Sequence, residues 1–91
     1  MTVTISYSAQ VRDAAGTPVE KVDLPAPCSP AELVQYLCRL HEPLRRVLLD
    51  GDGKPYASVL LFIGDEQVRW NTPRQVKDGD AISILSPISG G

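Results

Sequence analysis

The last two residues, Gly90 and Gly91, are the ones whose type and place could do chemistry. Glycine carries no side chain, so its backbone reaches conformations closed to other residues. A Gly-Gly end can thread a narrow channel and set its α-carboxylate against a reactive centre. A carboxylate acylates poorly. It must first be activated, typically as an acyl-adenylate, before sulfur or an amine can attack it. On this reading Gly91 supplies the carboxylate, and an activating enzyme supplies nucleotide, metal and oxyanion stabilisation. Terminal glycines also occur as plain frayed ends, so the rest of the chain must decide between the two.

Other reactive residue types offer less. Cys28 and Cys38 match no zinc or thioredoxin-like spacing, and a reducing cytosol disfavours a structural disulfide. Cys38 is expected to pack as a small apolar side chain on a helix. Cys28 sits just before that helix, where a thiol pKa can be lowered, but a structural place is the simpler expectation. The stretch Asp50-Gly51-Asp52-Gly53-Lys54 has the look of a calcium loop, yet Lys54, Pro55 and Leu61 fall where such a loop needs a ligand, a glycine and a glutamate. It reads as a turn. His41, the only histidine, is expected to cap a helix or face solvent. Asp65, Glu66 and Asp78 read as solvated turn residues, Arg45-Arg46 as a surface pair, and Phe62 and Trp70 as anchors of the core or its rim.

The elements that would hold out the tail follow from patterning. Val3, Ile5, Tyr7 and Ala9 alternate with polar residues, the period-two signature of a half-buried strand. Asp13-Ala14-Ala15-Gly16 breaks that pattern, and Gly16-Thr17-Pro18 reads as a turn. Val19 to Leu24 resumes alternation, with Glu20, Val22 and Leu24 on one side, and Pro25-Ala26-Pro27 ends it. Ser29, Pro30 and Glu32 form a capping box with proline at the first helical position. Leu33, Leu37 and Leu40 then recur at helical spacing, widened by Val34 and Tyr36, until Pro43 interrupts near His41. A short second helical piece through Leu44, Val47 and Leu48 is predicted. Ala57 to Ile63 reads as a central or doubly covered strand, Gly64-Asp65-Glu66 as a turn and Gln67 to Trp70 as a short strand. Ala81 to Leu85 closes the sheet, with Ile82 and Ile84 facing one way. The predicted fold is α+β: one main helix across a mixed sheet of four or five strands. Residues 1–85 form the domain and 86–91 the tail.

Composition narrows the function. The 91 residues are 43% hydrophobic and 22% charged, as expected of a single folded domain. A net charge of −2 argues against a nucleic-acid binder, which needs a basic face to displace counterions. The start alternates instead of forming an apolar export region, and the longest apolar run, Val59 to Ile63, is too short for a bilayer. A cytoplasmic protein with no membrane contact is expected.

With these residues in view, the chain resembles the MoaD/ThiS family of ubiquitin-like sulfur carriers, nearly end to end. Ile5-x-Tyr7-x-Ala9-Gln10-Val11-Arg12-Asp13-x-x-Gly16 looks like the first strand and turn of a molybdopterin synthase small subunit. Lys77-Asp78-Gly79-Asp80, an apolar strand and Pro87-Ile88-Ser89-Gly90-Gly91 are similar to the family's closing D-G-D…P-x-x-G-G. Two positions depart from the pattern: Ser8 stands where that subunit tends to carry an aromatic, and Gly64 where many members have asparagine. The Val59–Trp70 segment, with Ile63-Gly64-Asp65-Glu66-Gln67-Val68-Arg69, looks closer to carriers that feed cysteine synthesis.

The resemblance implies a β-grasp fold and a cycle of reactions. An activating enzyme of the ubiquitin type, an adenylyltransferase using ATP and magnesium, would adenylate Gly91. A persulfide would convert the carboxylate to a thiocarboxylate, and a second enzyme, such as a molybdopterin synthase large subunit, would take the sulfur. Gly90 would permit close approach. Leu85, Pro87, Ile88 and Ser89 fall at or beside family positions that meet partners, and Arg12 matches a first-strand arginine. Molybdopterin formation is the leading pathway, with cysteine, thiazole, transfer-RNA thiolation and secondary metabolism as alternatives. An inert ubiquitin-like interaction subunit and a lysine-linked modifier are the contrasting readings.

Overall fold

The structure is a computed structural model, and it describes residues 1–86. Strand β1 (Thr2–Ala9) and strand β2 (Val19–Asp23) form the expected antiparallel hairpin, with Val3 opposite Val22 and Ile5 opposite Glu20. Its connection differs from the expectation. Helix α1 (Gln10–Ala15) fills the stretch where the strand pattern breaks, just ahead of the turn read at Gly16-Thr17-Pro18. Val11 and Ala15 lie one helical turn apart and both are buried, and Gly16 closes the helix at φ 80° with its N–H on the Arg12 carbonyl at 2.9 Å. Six residues are too few to show a period, so the hydrophobic alternation of β1 masked the change.

Helix α2 (Pro30–Leu40) is the main helix. Ser29 Oγ accepts the Glu32 N–H at 3.1 Å, and Glu32 Oε1 accepts the Ser29 N–H at 3.0 Å, so two donors of the helix start are satisfied reciprocally. The buried arc runs through Pro30, Leu33, Val34, Leu37 and Cys38. Leu40, expected to continue the stripe, is 49% exposed. It lies at the edge of that arc in the last turn, just before the chain turns at His41. Helix α3 (Leu44–Leu48) follows as predicted and buries Leu44 and Leu48.

Strand β3 (Leu60–Ile63) starts later than expected. The reason is local: Tyr56 donates its N–H to the Leu48 carbonyl and Val59 donates to Tyr56, so this stretch turns against α3 instead of joining a ladder. Gly64, at φ 62°, and Asp65 make the turn, and strand β4 (Glu66–Val68) pairs back with Ile63 opposite Glu66. Trp70, expected in that strand, lies beyond it and packs against the core. Strand β5 (Ala81–Ser86) runs parallel to β1 and antiparallel to β3.

The sheet order is β2-β1-β5-β3-β4, so the last strand is the middle one. This is the expected β-grasp layout, with five strands, the main helix α2 and the predicted short α3; among the described residues α1 is the helix that was not expected. The core lies between the sheet and the helices. Val3, Ile5, Leu61, Ile82 and Ile84 from the sheet meet Leu33, Leu37, Leu44 and Leu48 from the helices, all nearly inaccessible to water. Each such side chain contributes about 1.5–3 kcal/mol by leaving water. Ser86, assigned to the tail in the domain division, instead pairs with Ala9 and is buried on the core side of β5. No helix among the described residues is long and apolar enough to cross a membrane.

Two outcomes follow from this packing. Leu37→Ala should cost about 2–5 kcal/mol, because the rigid surroundings cannot close the cavity, and a urea titration would read it. The Ser29 contacts hold Glu32 below its ordinary carboxylate value of 4.5. The stability this gives is therefore complete above that value and is lost as pH falls through the lower folded value. Glu32→Gln should melt below wild type at neutral pH, and the gap should close in acid.

Candidate functional site

β5 carries the chain toward its carboxyl end from the centre of the sheet, flanked by β1 on one side and β3 on the other. Pro87, Ile88, Ser89, Gly90 and Gly91 lie outside the described residues. Ser86 is the last described residue and the root of the tail. Its position is set by the parallel ladder, in which Ser8 opposes Leu85 and Ala9 opposes Ser86.

Parity along β5 divides its side chains. Ile82, Ile84 and Ser86 point to the helices, and Ala81, Ser83 and Leu85 point to the open face. Leu85, one of the sequence-predicted partner residues, is half-buried there. The ladders align it with Ser8 on β1 and Leu60 on β3. Phe62, expected in the core or its rim, stands one step along the same face, opposite Ser83 and Gln67. Leu60, Phe62 and Leu85 thus form an apolar patch beside the tail's root. Beyond Leu60 a shallow depression of ≈ 410 Å³ is walled by Leu60, Gln67, Arg69 and Trp70, among others. An apolar patch of this kind can seat a protein surface. The sequence hid it because alternation marks an outward leucine only after the register is known.

Arg12 does not lie in the first strand. It stands on α1, exposed, with no carboxylate at ion-pair distance among the described residues. The strand ends three residues earlier, at Ala9, whose backbone has φ 55° and ψ −131°. That region is strained for a residue with a Cβ, and Ala9 sits directly across from Ser86.

A polar cluster on the helix side was missed. The Tyr7 hydroxyl donates to Glu20 Oε2 at 2.6 Å, and His41 Nε2 lies 2.6 Å from the same oxygen. The Tyr7 and His41 rings meet edge to face with centroids 6.4 Å apart. His41 therefore ties the end of α2 to the β1–β2 hairpin, where a cap or a solvent-facing ring was expected; only its backbone N–H closes the helix. Burial, and then the Glu20 carboxylate, push the Tyr7 hydroxyl far above its ordinary range, so it remains a donor. The signal was present in the sequence: Glu20 shares the inward side of β2 with Val22 and Leu24, and an inward acid needs a donor. The cluster faces away from the open face and is structural.

The remaining candidates settle as structural too. Burial, and then the Glu32 charge, raise the Cys28 thiol, the opposite of activation. Cys28 also exchanges both backbone hydrogen bonds with Val76. Burial raises the Cys38 thiol, with Arg45 opposing. Asp50 Oδ1 accepts the N–H groups of Asp52 and Lys54, which makes the loop a turn and lowers the Asp50 pKa. Among the described residues no group of three or more His, Cys, Asp or Glu could hold a metal ion.

A model of the ThiS family matches residues 5–91. No curated protein matches the sequence. Among solved structures, SAMP1 from Haloferax volcanii is 20% identical, with complete coverage of both chains and a TM-score of 0.87. A protein described as molybdopterin converting factor, subunit 1, from Pyrococcus furiosus is 25% identical; the match covers 97% of this chain and 99% of that one, with a TM-score of 0.75. A chain of the BexX/CysO complex from Amycolatopsis orientalis is also 25% identical, with 98% and 99% covered and a TM-score of 0.72. Both the mixed sheet and the helices laid across one face are therefore shared with these proteins.

The strain at the root has a measurable consequence. Ala9→Gly should stabilise the fold by about 1 kcal/mol, because relief of roughly 1–3 kcal/mol of backbone strain exceeds the added entropy of the unfolded glycine. Thermal melting would show it, and a loss of stability would mean that Ala9 is not strained.

Proposed function

The chain belongs to the ThiS family of small ubiquitin-like sulfur carriers and modifiers, and from that premise we propose that Gly91 is the acyl carrier of a sulfur-transfer cycle. The observation that carries this reading is a Gly-Gly pair four and five residues beyond the central strand of a β-grasp sheet, in a chain that the family matches to its last residue.

In the proposed cycle the Gly91 carboxylate attacks the α-phosphorus of ATP in the activating enzyme, and pyrophosphate leaves. ATP and magnesium belong to that enzyme, not to this chain. A persulfide sulfur then attacks the carbonyl carbon and AMP leaves. A second thiol reduces the resulting acyl disulfide and frees the thiocarboxylate. The sulfur acceptor is then met by the same tail. Gly90 lets the main chain enter where a Cβ would collide, while Leu85 with Leu60 and Phe62 gives the partner an apolar seat. Pro87, Ile88 and Ser89 would line the entry channel. Arg12, on α1 near the same end of the sheet, would meet the partner's margin.

The pathway proposed first is molybdopterin formation, with this chain as the small subunit of a synthase. The likeness to the Pyrococcus furiosus protein supports it. Cysteine synthesis is the second reading, favoured by the Val59–Trp70 segment and by the likeness to the BexX/CysO complex. The protein would work in the cytoplasm.

Intact-mass measurement after incubation with a ubiquitin-activating-type adenylyltransferase, ATP, magnesium and a sulfur donor tests the proposal. One sulfur should replace one oxygen at the terminus, and offering each acceptor enzyme in turn would separate the pathways. Deleting Gly90 and Gly91 should abolish loading and leave the melting temperature nearly unchanged. An unaltered mass, with an enzyme that loads its own carrier, would point to an inert interaction subunit. Conjugates that depend on Gly91 would point to a modifier.

A further inference from the structure

Arg69 follows β4 at the edge of the sheet. The pairing of Phe62 with Gln67 and Leu61 with Val68 continues to place Arg69 across from Leu60, on the open face. With Leu60 and Gln67 it walls the depression beside the apolar patch. Its side chain is exposed and has no carboxylate at ion-pair distance among the described residues, whereas Arg74, also on this edge, pairs with Glu66.

The surroundings sharpen the contrast. The outward residues nearest the tail's root are Ser8, Leu85, Ser83, Leu60, Phe62 and Gln67, and none carries a charge. The whole chain has a net charge of −2, yet along this edge the Arg69 guanidinium has no ion-pair partner among the described residues, while Glu66 is taken up by Arg74. The other cation of the open face, Lys21, stands on β2 at the opposite edge, next to the row of Thr2 and Asp23.

Five extended residues span at most about 18 Å. An enzyme that receives Gly91 must therefore come close to the carboxyl end of β5, and its contact would extend over Leu85 and Leu60. Covering Arg69 without a counter-charge would strip a cation of its water, at a cost no apolar contact recovers. An opposed carboxylate turns that cost into orientation and selectivity.

We infer that Arg69 is a specificity-determining residue of the docking face, and that the enzyme which activates Gly91 presents a carboxylate to it at the β4 edge. The inference rests on the carrier reading above. Its occupant is a protein surface that is apolar over Leu60 and Leu85 and acidic beyond them.

The test is pyrophosphate exchange by the source organism's ubiquitin-activating-type adenylyltransferase, with the full chain as the varied substrate. Arg69→Glu should raise KM about ten-fold with kcat unchanged, and Arg69→Lys should retain most of the affinity. Arg69→Gln should weaken the dependence of KM on salt. Lys21→Glu, at the far edge, should leave KM as it is. A KM for Arg69→Glu equal to that of wild type overturns the inference and leaves the carrier reading standing. So does an equal effect of Lys21→Glu, or a fall in kcat alone. Absence of any exchange with wild type overturns the carrier reading itself, and this inference with it.

Discussion

The structure depends on one constraint: the last strand must be the middle strand. β5 can be central only if β1 accepts it in parallel on one side and β3 in antiparallel on the other. Both ladders are fixed by burial, because a slip of one residue would turn Ile82 and Ile84 toward water and Ser83 toward the core. The cover over that core is α2, whose Leu33 and Leu37 are fully buried against it. Burial of the α2 stripe thus determines where the main chain leaves the sheet.

From that constraint the two faces divide the work. The inward residues of β5 hold the fold, and the outward ones are free to meet another molecule. The same parity along β3 sets Leu61 and Ile63 in the core and Leu60 and Phe62 on the open face. On the carrier reading proposed above the reactive atom belongs to the main chain, and such a protein needs no catalytic side chains. It needs a rigid root and an accessible surface near it. The thiols fit this division, since burial raises both. The Tyr7–Glu20–His41 cluster fits it as well: it joins hairpin to helix on the side away from the patch.

The fold is shared among proteins with different names, including a small archaeal modifier protein, a molybdopterin converting factor and a CysO complex. A common fold shifts the burden of selectivity to surface residues. Leu60, Leu85 and Arg69 lie where such selectivity would be read, on the one face that the helices leave open.

Local pattern in the sequence was enough to determine the hairpin, the capped start of α2, the short α3, the inward isoleucines of β5 and the Gly-Gly end. Each rests on neighbours within a few residues: a period of two, a Ser-x-x-Glu box, or a glycine pair. What lay beyond that range had to come from the tertiary structure. Six residues of α1 carry too little period to be read, and the backbone of Ala9 is bent by its junction. Leu40 is exposed because the helix ends beside it, and Ser86 joins the sheet because Ala9 offers it a partner. Arg69 and Phe62 stand on the open face only through register, and the Glu20–His41 pair joins residues 21 apart in sequence. These depend on which strands become neighbours, and that choice is made by the burial of the whole core at once.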